Sequence, residues 1–373
     1  MLTINGRVGL CRTVYWNKQG GTVIPLDAAL GSGRYSLGVQ EICCRVGTAV
    51  SFRRAAEDIG RTAQLSVSAE TVRQMVEARA TLALEAQRKG HLKPDWTSAD
   101  CRPDARHPTC LMTGADGVMV PLVTEAEKAK RRQKRRRRRK GQPPRQAIRK
   151  GSDQPYKEFK VVAFYDATGE HHHVAGTGGN HEQAGRLIRQ YGRMLAIDKA
   201  QIKYSITDGA EWIRKQYIGQ LPMLDANVLD YYHLREHVIT ASQTLYGTGS
   251  EASVRWRKEI TGCMIEQRPL AVLDRLAETL KAFRSPRKRR AIEELRQYIA
   301  KRVEMLDYPA FRAKGYDIGS GPTESFCKTL TSRLKGSGMR WDEPHAEGLM
   351  ALAAIRSSNL WERYWNRAKT EVA

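Results

Sequence analysis

Residues 160–176, KVVAFYDATGEHHHVAG, decide the fold class. KVVAFYD and HHHVAG each have the length and the β-branched or aromatic content of a strand, and ATGE between them is a turn signal. Downstream, NHEQAGRLIRQYGRMLAI (180–197) spaces its apolar residues as a helix does. IKYSITD (202–208) is again a strand, AEWIRKQY (210–217) a helix and ANVLDYY (226–232) a strand. Upstream, TCLMTGADGVMVPLV (109–123) sets an Asp-Gly pair between two apolar runs. Strands alternating with helices predict an α/β core, a mixed sheet covered by helices, over 101–232. Residues 233–312 are helical in pattern nearly throughout, which reads as an insertion before the core resumes over 313–373.

The first 50 residues read as short strands and turns, with NKQGG (17–21) as a turn signal after the apolar run Val8 to Tyr15. From Ser51 the pattern turns helical. Phe52, Ala55, Ala56 and Ile59, then Val72, Met75 and Val76, fall at spacings of three and four, and Ser68 is placed to cap the second helix. Residues 51–100 therefore read as a helix-turn-helix region whose second helix, with Arg73 and Arg79, enters a major groove. The same pattern describes two packed helices that touch no DNA.

The chain of 373 residues carries 63 Lys plus Arg and a formal charge of +23, which points to a polyanionic partner, nucleic acid before membrane. No apolar run approaches the roughly 20 residues a membrane span needs, and MLTINGRVGLCR lacks the apolar core of a signal peptide. A soluble, intracellular protein is expected. The seven cysteines form no CxxC pair, so neither a zinc ribbon nor a disulfide framework is indicated. The most biased segment, KAKRRQKRRRRRK (128–140), includes Arg135, Arg136 and Arg137. Such like-charge density predicts an extended basic loop over 128–150 that is ordered only by a polyanion.

Against this background the acidic residues stand out. Asp208 closes a strand, Asp116 interrupts an apolar run, and both precede Gly; Asp-Gly is also an ordinary turn pair. Carboxylates at strand ends project into the crevice where α/β sheets bind ligands. With a third carboxylate they suit Mg²⁺ or Mn²⁺, and two such ions about 3.5 to 4 Å apart serve phosphoryl transfer. Glu324, in GSGPTESFCKTLTSRLKGSGMRW (319–341), is a candidate for the third. Asp166, at the end of KVVAFYD, competes with Asp116, and composition does not choose between them.

PLDAALG, YSLGVQEICCRVG, SFRRAAEDIG, ADGVMVPL, KEFKVVAFYD, ITDGAEWI, VLDYYHLREH and GSGPTESFCKTLTSRLKGSGMRW resemble the successive blocks of the insertion-sequence transposases of the ISKra family. The resemblance runs from about residue 4 to residue 365, and the last block is the most specific. It implies a ribonuclease H-like core with an all-helical insertion, and a DDE catalytic set of Asp116, Asp208 and Glu324 holding two Mg²⁺ or Mn²⁺ ions. It further implies double-stranded DNA partners (element ends and target), a homo-oligomer on DNA, and a bacterial cytoplasmic, nucleoid-associated location. Two features depart from the family: VYWNKQGG stands where relatives often carry a cysteine-pair knuckle, so no zinc is expected there, and the arginine run is longer and more basic than usual.

Lys328, Arg333, Lys335 and Arg340 surround the helix of Glu324 as candidate phosphate contacts. Trp341 either stacks on an unpaired end base or packs in the core. His233, Glu236 and His237 match the HxxEH pattern of a zinc protease class, but the segment also resembles the DxxH signature of other transposases, Asp230 to His233. That signature would order the insertion or touch DNA. Two rivals to a transposase stay open: a catalytically inactive or domesticated DNA-binding protein, and a ribonuclease H-like nuclease without strand transfer.

Overall fold

A computed structural model describes residues 1–30, 33–139, 141, 154–336, 339 and 341–370. The chain opens with two short ribbons, β1 (Leu2–Thr3) with β2 (Gly6–Arg7) and β3 (Tyr15–Asn17) with β4 (Gly21–Val23), the second closed by the NKQGG turn. Helices α1 (Pro25–Leu30), α2 (Leu37–Gly47), α3 (Phe52–Thr62) and α4 (Ala69–Arg88) follow. Helical structure thus begins before Ser51, inside the region expected to hold only strands and turns. Val39, Cys43 and Cys44 give α2 a fully buried face. Ser36, Ser51 and Ser68 cap α2, α3 and α4, each hydroxyl accepting from an amide in the first turn, as at Ser68 from Thr71 N at 3.1 Å.

The core sheet is built from β5 (Cys110–Leu122), β6 (Gln154–Asp166), β7 (His172–Thr177), β8 (Ile202–Thr207) and β9 (Ala226–Leu229). Helix α5 (Glu125–Arg139) follows β5, while α6 (His181–Met194) and α7 (Glu211–Gln220) link β7 to β8 and β8 to β9. The strand order is β7-β6-β5-β8-β9, with β6 antiparallel to both β7 and β5, and β5, β8 and β9 parallel. This is a mixed α/β fold. The unbroken apolar run KVVAFY has a physical reason, since both faces of β6 are covered. Val162 and Phe164 pack under α6 and α7, while Val161, Ala163 and Tyr165 face the opposite layer.

That opposite layer comes from the end of the chain. After α8 (Tyr231–Tyr246), α9 (Glu251–Glu266), α10 (Pro269–Lys281), α11 (Pro286–Ala300) and α12 (Tyr308–Ala313), helix α13 (Gly321–Lys335) returns across β5 and β6. Helix α14 (Glu343–Ser357) packs on β7 and along α4, and α15 (Trp361–Thr370) closes on α2. The helical block from 231 to 313 therefore interrupts the layer that completes the sheet. Trp341 is buried, its carbonyl accepts from Val123 N at 2.8 Å, and its ring meets Phe52 edge-on at 5.7 Å. It packs in the core. No helix among the described residues is long and apolar enough to cross a membrane.

Two local features bear on the site. Residues 128–139 belong to α5, where an extended loop was expected. Lys, Arg, Gln and Ala are among the better helix formers, and Glu125 and Glu127 in the first turn oppose the charge run through ion pairs with Lys128 (2.7 Å) and Arg131. Lys128 also pairs with Asp342 at the start of α14. At Gly114, an ideal Cβ would lie 2.1 Å from Thr323 Oγ1 on α13 and 3.0 Å from the Ile206 carbonyl oxygen. Gly114→Ala is therefore expected to lift α13 off the sheet and cost about 1–3 kcal/mol. Urea denaturation checks this, and an unchanged midpoint would mean that α13 seats itself by other contacts.

Candidate active site

Sheet register brings the aspartates to one level. Thr113 of β5 stands beside Ser205 of β8, and Asp116 and Asp208 each lie three residues further along their strands. Ser205 in turn stands beside Asn227 of β9, and Asp230 lies three residues beyond that. Three carboxylates therefore stand at about one level of the sheet, Asp116 in the middle of β5 and Asp208 and Asp230 one residue past the C-terminal ends of β8 and β9. Ala115 packs under α6 and α7, so strand alternation turns Asp116 toward α13. Helix α13 carries Glu324 in its first turn. Asp116, Asp208, Asp230 and Glu324 line one open cleft of about 440 Å³, together with His233, Cys327, Lys328 and Lys335.

Each carboxylate has a different environment. Asp116 Oδ1 accepts from the Gly117 amide at 2.6 Å. Burial raises its pKa; the Gly117 bond opposes the rise, and the neighbouring charges of Asp208 and Glu324 add to it. Asp208 Oδ1 accepts from Ala210 N at 2.8 Å, and Gly209 takes a positive φ of +71°, so this Asp-Gly is both a turn and a member of the cleft. Glu324 is exposed and makes one loose ion pair, 3.9 Å to Lys328. Cys327, one helical turn after Glu324, is buried against Asp116, and its thiol is pushed well up by burial and then by the Asp116 charge. Sequence reasoning passed over this thiol, although its i+3 spacing from Glu324 was visible. Among the described residues no three His, Cys, Asp or Glu side chains stand close enough together to cage a metal ion.

The raised pKa of Asp116 carries a prediction. A carboxyl whose folded pKa lies above its unfolded one favours the fold when protonated. That contribution is complete below the ordinary value of about 3.9 and is lost as pH rises through the raised value. Asp116→Asn keeps the shape without the charge. At pH 7 and without divalent cation the variant is expected to melt above the wild type, with the gap closing below about pH 3.9. Thermal scans at the two pH values check this, and a lower midpoint for the variant at pH 7 would contradict it.

Asp166, the competing candidate, lies at the other end of the sheet. It pairs with Leu111, whereas Asp116 pairs with Val161, five residues or about 17 Å along the ladder. Its buried carboxylate closes the β6–β7 hairpin through Thr168 Oγ1 (2.6 Å), Gly169 N (2.9 Å) and His171. His173 is fully buried and its pKa is pushed down to about 3, which keeps it neutral. His237 stacks on Tyr298 at 4.0 Å and meets His233 edge-on at 5.1 Å, while Glu236 is exposed.

No protein-family model matches this chain, and no curated protein matches it.

The expected DNA contacts divide into two groups. Lys328 and Lys335 line the cleft, and Arg135 and Arg136 are exposed on α5. Arg137 belongs to the same helix, and Arg340 lies outside the described residues. Three others are engaged within the chain. Arg73 pairs with Glu70 and Glu77, and Arg79 donates to Gln40 Oε1 at 2.8 Å and lies 5.2 Å over the Trp365 ring. Arg333 is buried, its guanidinium 4.9 Å from the Phe52 ring and 5.1 Å from that of Trp341, and its Nε donates to the Gly47 carbonyl at 3.2 Å. Burial lowers its pKa to about 10, which leaves it charged at pH 7. Sequence reasoning also missed an open cleft of about 580 Å³ where Lys89 and Lys93 meet Arg363 and Arg367. These cations are remote in sequence, so no local charge run announces them.

Proposed function

We propose that the chain is a DNA transposase of the DDE type, related to the ISKra insertion-sequence enzymes, that cleaves and joins the ends of a mobile element. The observation that carries this reading is the shared level. Asp116 and Asp208 stand level on neighbouring parallel strands, and the helix across them brings Glu324 to the same cleft. The strand order, with its antiparallel half and parallel half and a helical block before the last acidic helix, supports a ribonuclease H-like core. A charge of +23 suits a duplex DNA substrate.

In kind the donor set suits a pair of Mg²⁺ or Mn²⁺ ions, provided that Glu324 is drawn in from its exposed position on the same cleft. It consists of hard carboxylate oxygens, of which Asp116 is costly to ionise because it is buried and, less so, because Asp208 and Glu324 are near, while Glu324 is exposed and loosely held. Asp116, Asp208 and Glu324 would hold the ions. A bound divalent cation supplies Lewis acidity for attack on a phosphodiester, by water and then by a freed 3′ hydroxyl. Lys328 and Lys335 set the DNA backbone over the carboxylates as phosphate contacts. The exposed arginines of α5 and the cleft lined by Lys89, Lys93, Arg363 and Arg367 are further basic surfaces for duplex DNA, which suits a homo-oligomer holding two element ends and a target. Helices α3 and α4 serve as the helix-turn-helix, reading DNA from the side of Arg53, Arg54 and Arg61, because the apolar face of α4 is used on α14.

Incubating the protein with Mg²⁺ and duplexes carrying the DNA that flanks its gene, searched for terminal repeats, tests the reading. Nicks that expose a 3′ hydroxyl at the repeat boundary, followed by joining to a second duplex, are expected. Binding without any strand break would favour a non-catalytic DNA-binding protein, and breaks without joining a nuclease.

A further inference from the structure

Asp230 shares the level of Asp116 and Asp208 and lines the same cleft, yet its bonding sets it apart. It is 2% exposed. Its Oδ1 accepts from Tyr232 N at 2.6 Å and His233 N at 2.9 Å, capping α8, the first helix of the inserted block. Its Oδ2 accepts from Ser320 N at 2.7 Å and from the Ser320 hydroxyl. An ionised carboxylate offers about four lone-pair sites, and four donors occupy them here. No oxygen is left over for a metal.

The bonds join three elements. The Asp230 amide donates to the Thr207 carbonyl at 2.7 Å, next to Asp208, and Tyr231 N donates to the Ile318 carbonyl at 2.8 Å. Ser320 is the N-cap residue of α13, and its carbonyl accepts from the amide of Glu324 at 3.1 Å. Gly319 sits so close to the Tyr232 ring that a Cβ would lie 2.9 Å from it, which presses this segment against the start of α8. One carboxylate therefore ties the strand ends, the inserted block and the start of the helix that carries Glu324.

Resting on the DDE reading above, we propose that Asp230 is a positioning residue: through Ser320 it fixes the first turn of α13, and so sets Glu324 against Asp116 and Asp208. Groups that orient metal ligands from behind typically cost 10- to 100-fold in metal affinity or activity when replaced. Asp230→Asn is nearly isosteric but turns an NH₂ group toward N–H donors, either at Ser320 or at the start of α8. It is expected to weaken Mn²⁺ binding about 10- to 100-fold and to lower cleavage in proportion, with duplex affinity unchanged.

The test is a Mn²⁺ titration of the full chain followed by electron paramagnetic resonance, on the wild type, Asp208→Asn, Asp230→Asn and Ser320→Ala. Ser320→Ala removes one of the two bonds to Oδ2, and a smaller loss of Mn²⁺ affinity in the same direction is expected. Weakened binding in a folded Asp230→Asn protein supports the proposal, since a carboxylate with a merely structural role would lower the melting point and leave Mn²⁺ affinity alone. Wild-type affinity in both variants, with Asp208→Asn impaired, overturns it while leaving the metal site standing. If Asp230→Asn does not fold, Ser320→Ala decides: reduced affinity supports the clamp and unchanged affinity overturns it. Should the wild type and Asp208→Asn both bind no Mn²⁺, the metal reading itself falls and the clamp falls with it.

Discussion

Replacing Asp208 by Asn is expected to lower strand cleavage about 10³-fold or more while leaving DNA affinity within about twofold, because a lost ligand removes several kcal/mol of transition-state stabilisation and no phosphate contact. Asp116→Asn and Glu324→Gln should give losses of the same size. The three should not add when combined if, as proposed, they serve one metal site. Asp166→Asn is the matched control: its carboxylate closes the β6–β7 hairpin at the far end of the ladder, so it should lower stability and spare the chemistry per folded molecule. Rates of nicking and gel-shift affinities on the same duplex measure both quantities. Wild-type cleavage in Asp208→Asn, or loss of cleavage confined to Asp166→Asn, would move the active centre elsewhere.

The second large effect concerns α5. Lys128 and Arg131 are tied to Asp342 and Glu127 and hold the helix in place, whereas Arg135 and Arg136 stand exposed beyond them and Arg132, also exposed, reaches Glu125 at 3.5 Å. Each phosphate neutralised on duplex DNA contributes about 0.9 to the slope of log affinity against log salt. The triple change to Gln should therefore flatten that slope by up to about 2.7 and weaken specific and random duplexes alike. Cleavage at saturating DNA should survive, because no carboxylate of the cleft is altered. Titrations between low and physiological salt read the slope directly. A slope equal to the wild type's would remove α5 from the DNA path.

Local patterns carried the strand and helix inventory of residues 160–232, because runs such as KVVAFYD and NHEQAGRLIRQYGRM have one periodicity each and clear ends. Ser68 at the start of α4 was legible for the same reason: a cap is a contact within four residues. What was not legible depended on partners far away in the chain. The level of Asp116 with Asp208 is a property of β5–β8 register, set by packing across about 90 residues of sequence. Arg73, Arg79 and Arg333 look alike as cations on helices. Only the fold shows that Glu77, Trp365, Gly47 and Phe52 occupy them, while Lys328 and Lys335 keep their place on the cleft. Helix α5 was misread because like charges were weighed without Glu125 and Glu127, which lie just before the run.

The most direct measurement on the central claim is anomalous diffraction at the manganese edge from crystals of the full chain soaked in Mn²⁺ with a duplex carrying an element end. The account predicts a peak bound by Asp116 and Asp208 at roughly 2 Å, with Glu324 drawn in from its contact with Lys328. A cleft without a peak, or manganese held instead by His233 and His237, would contradict it.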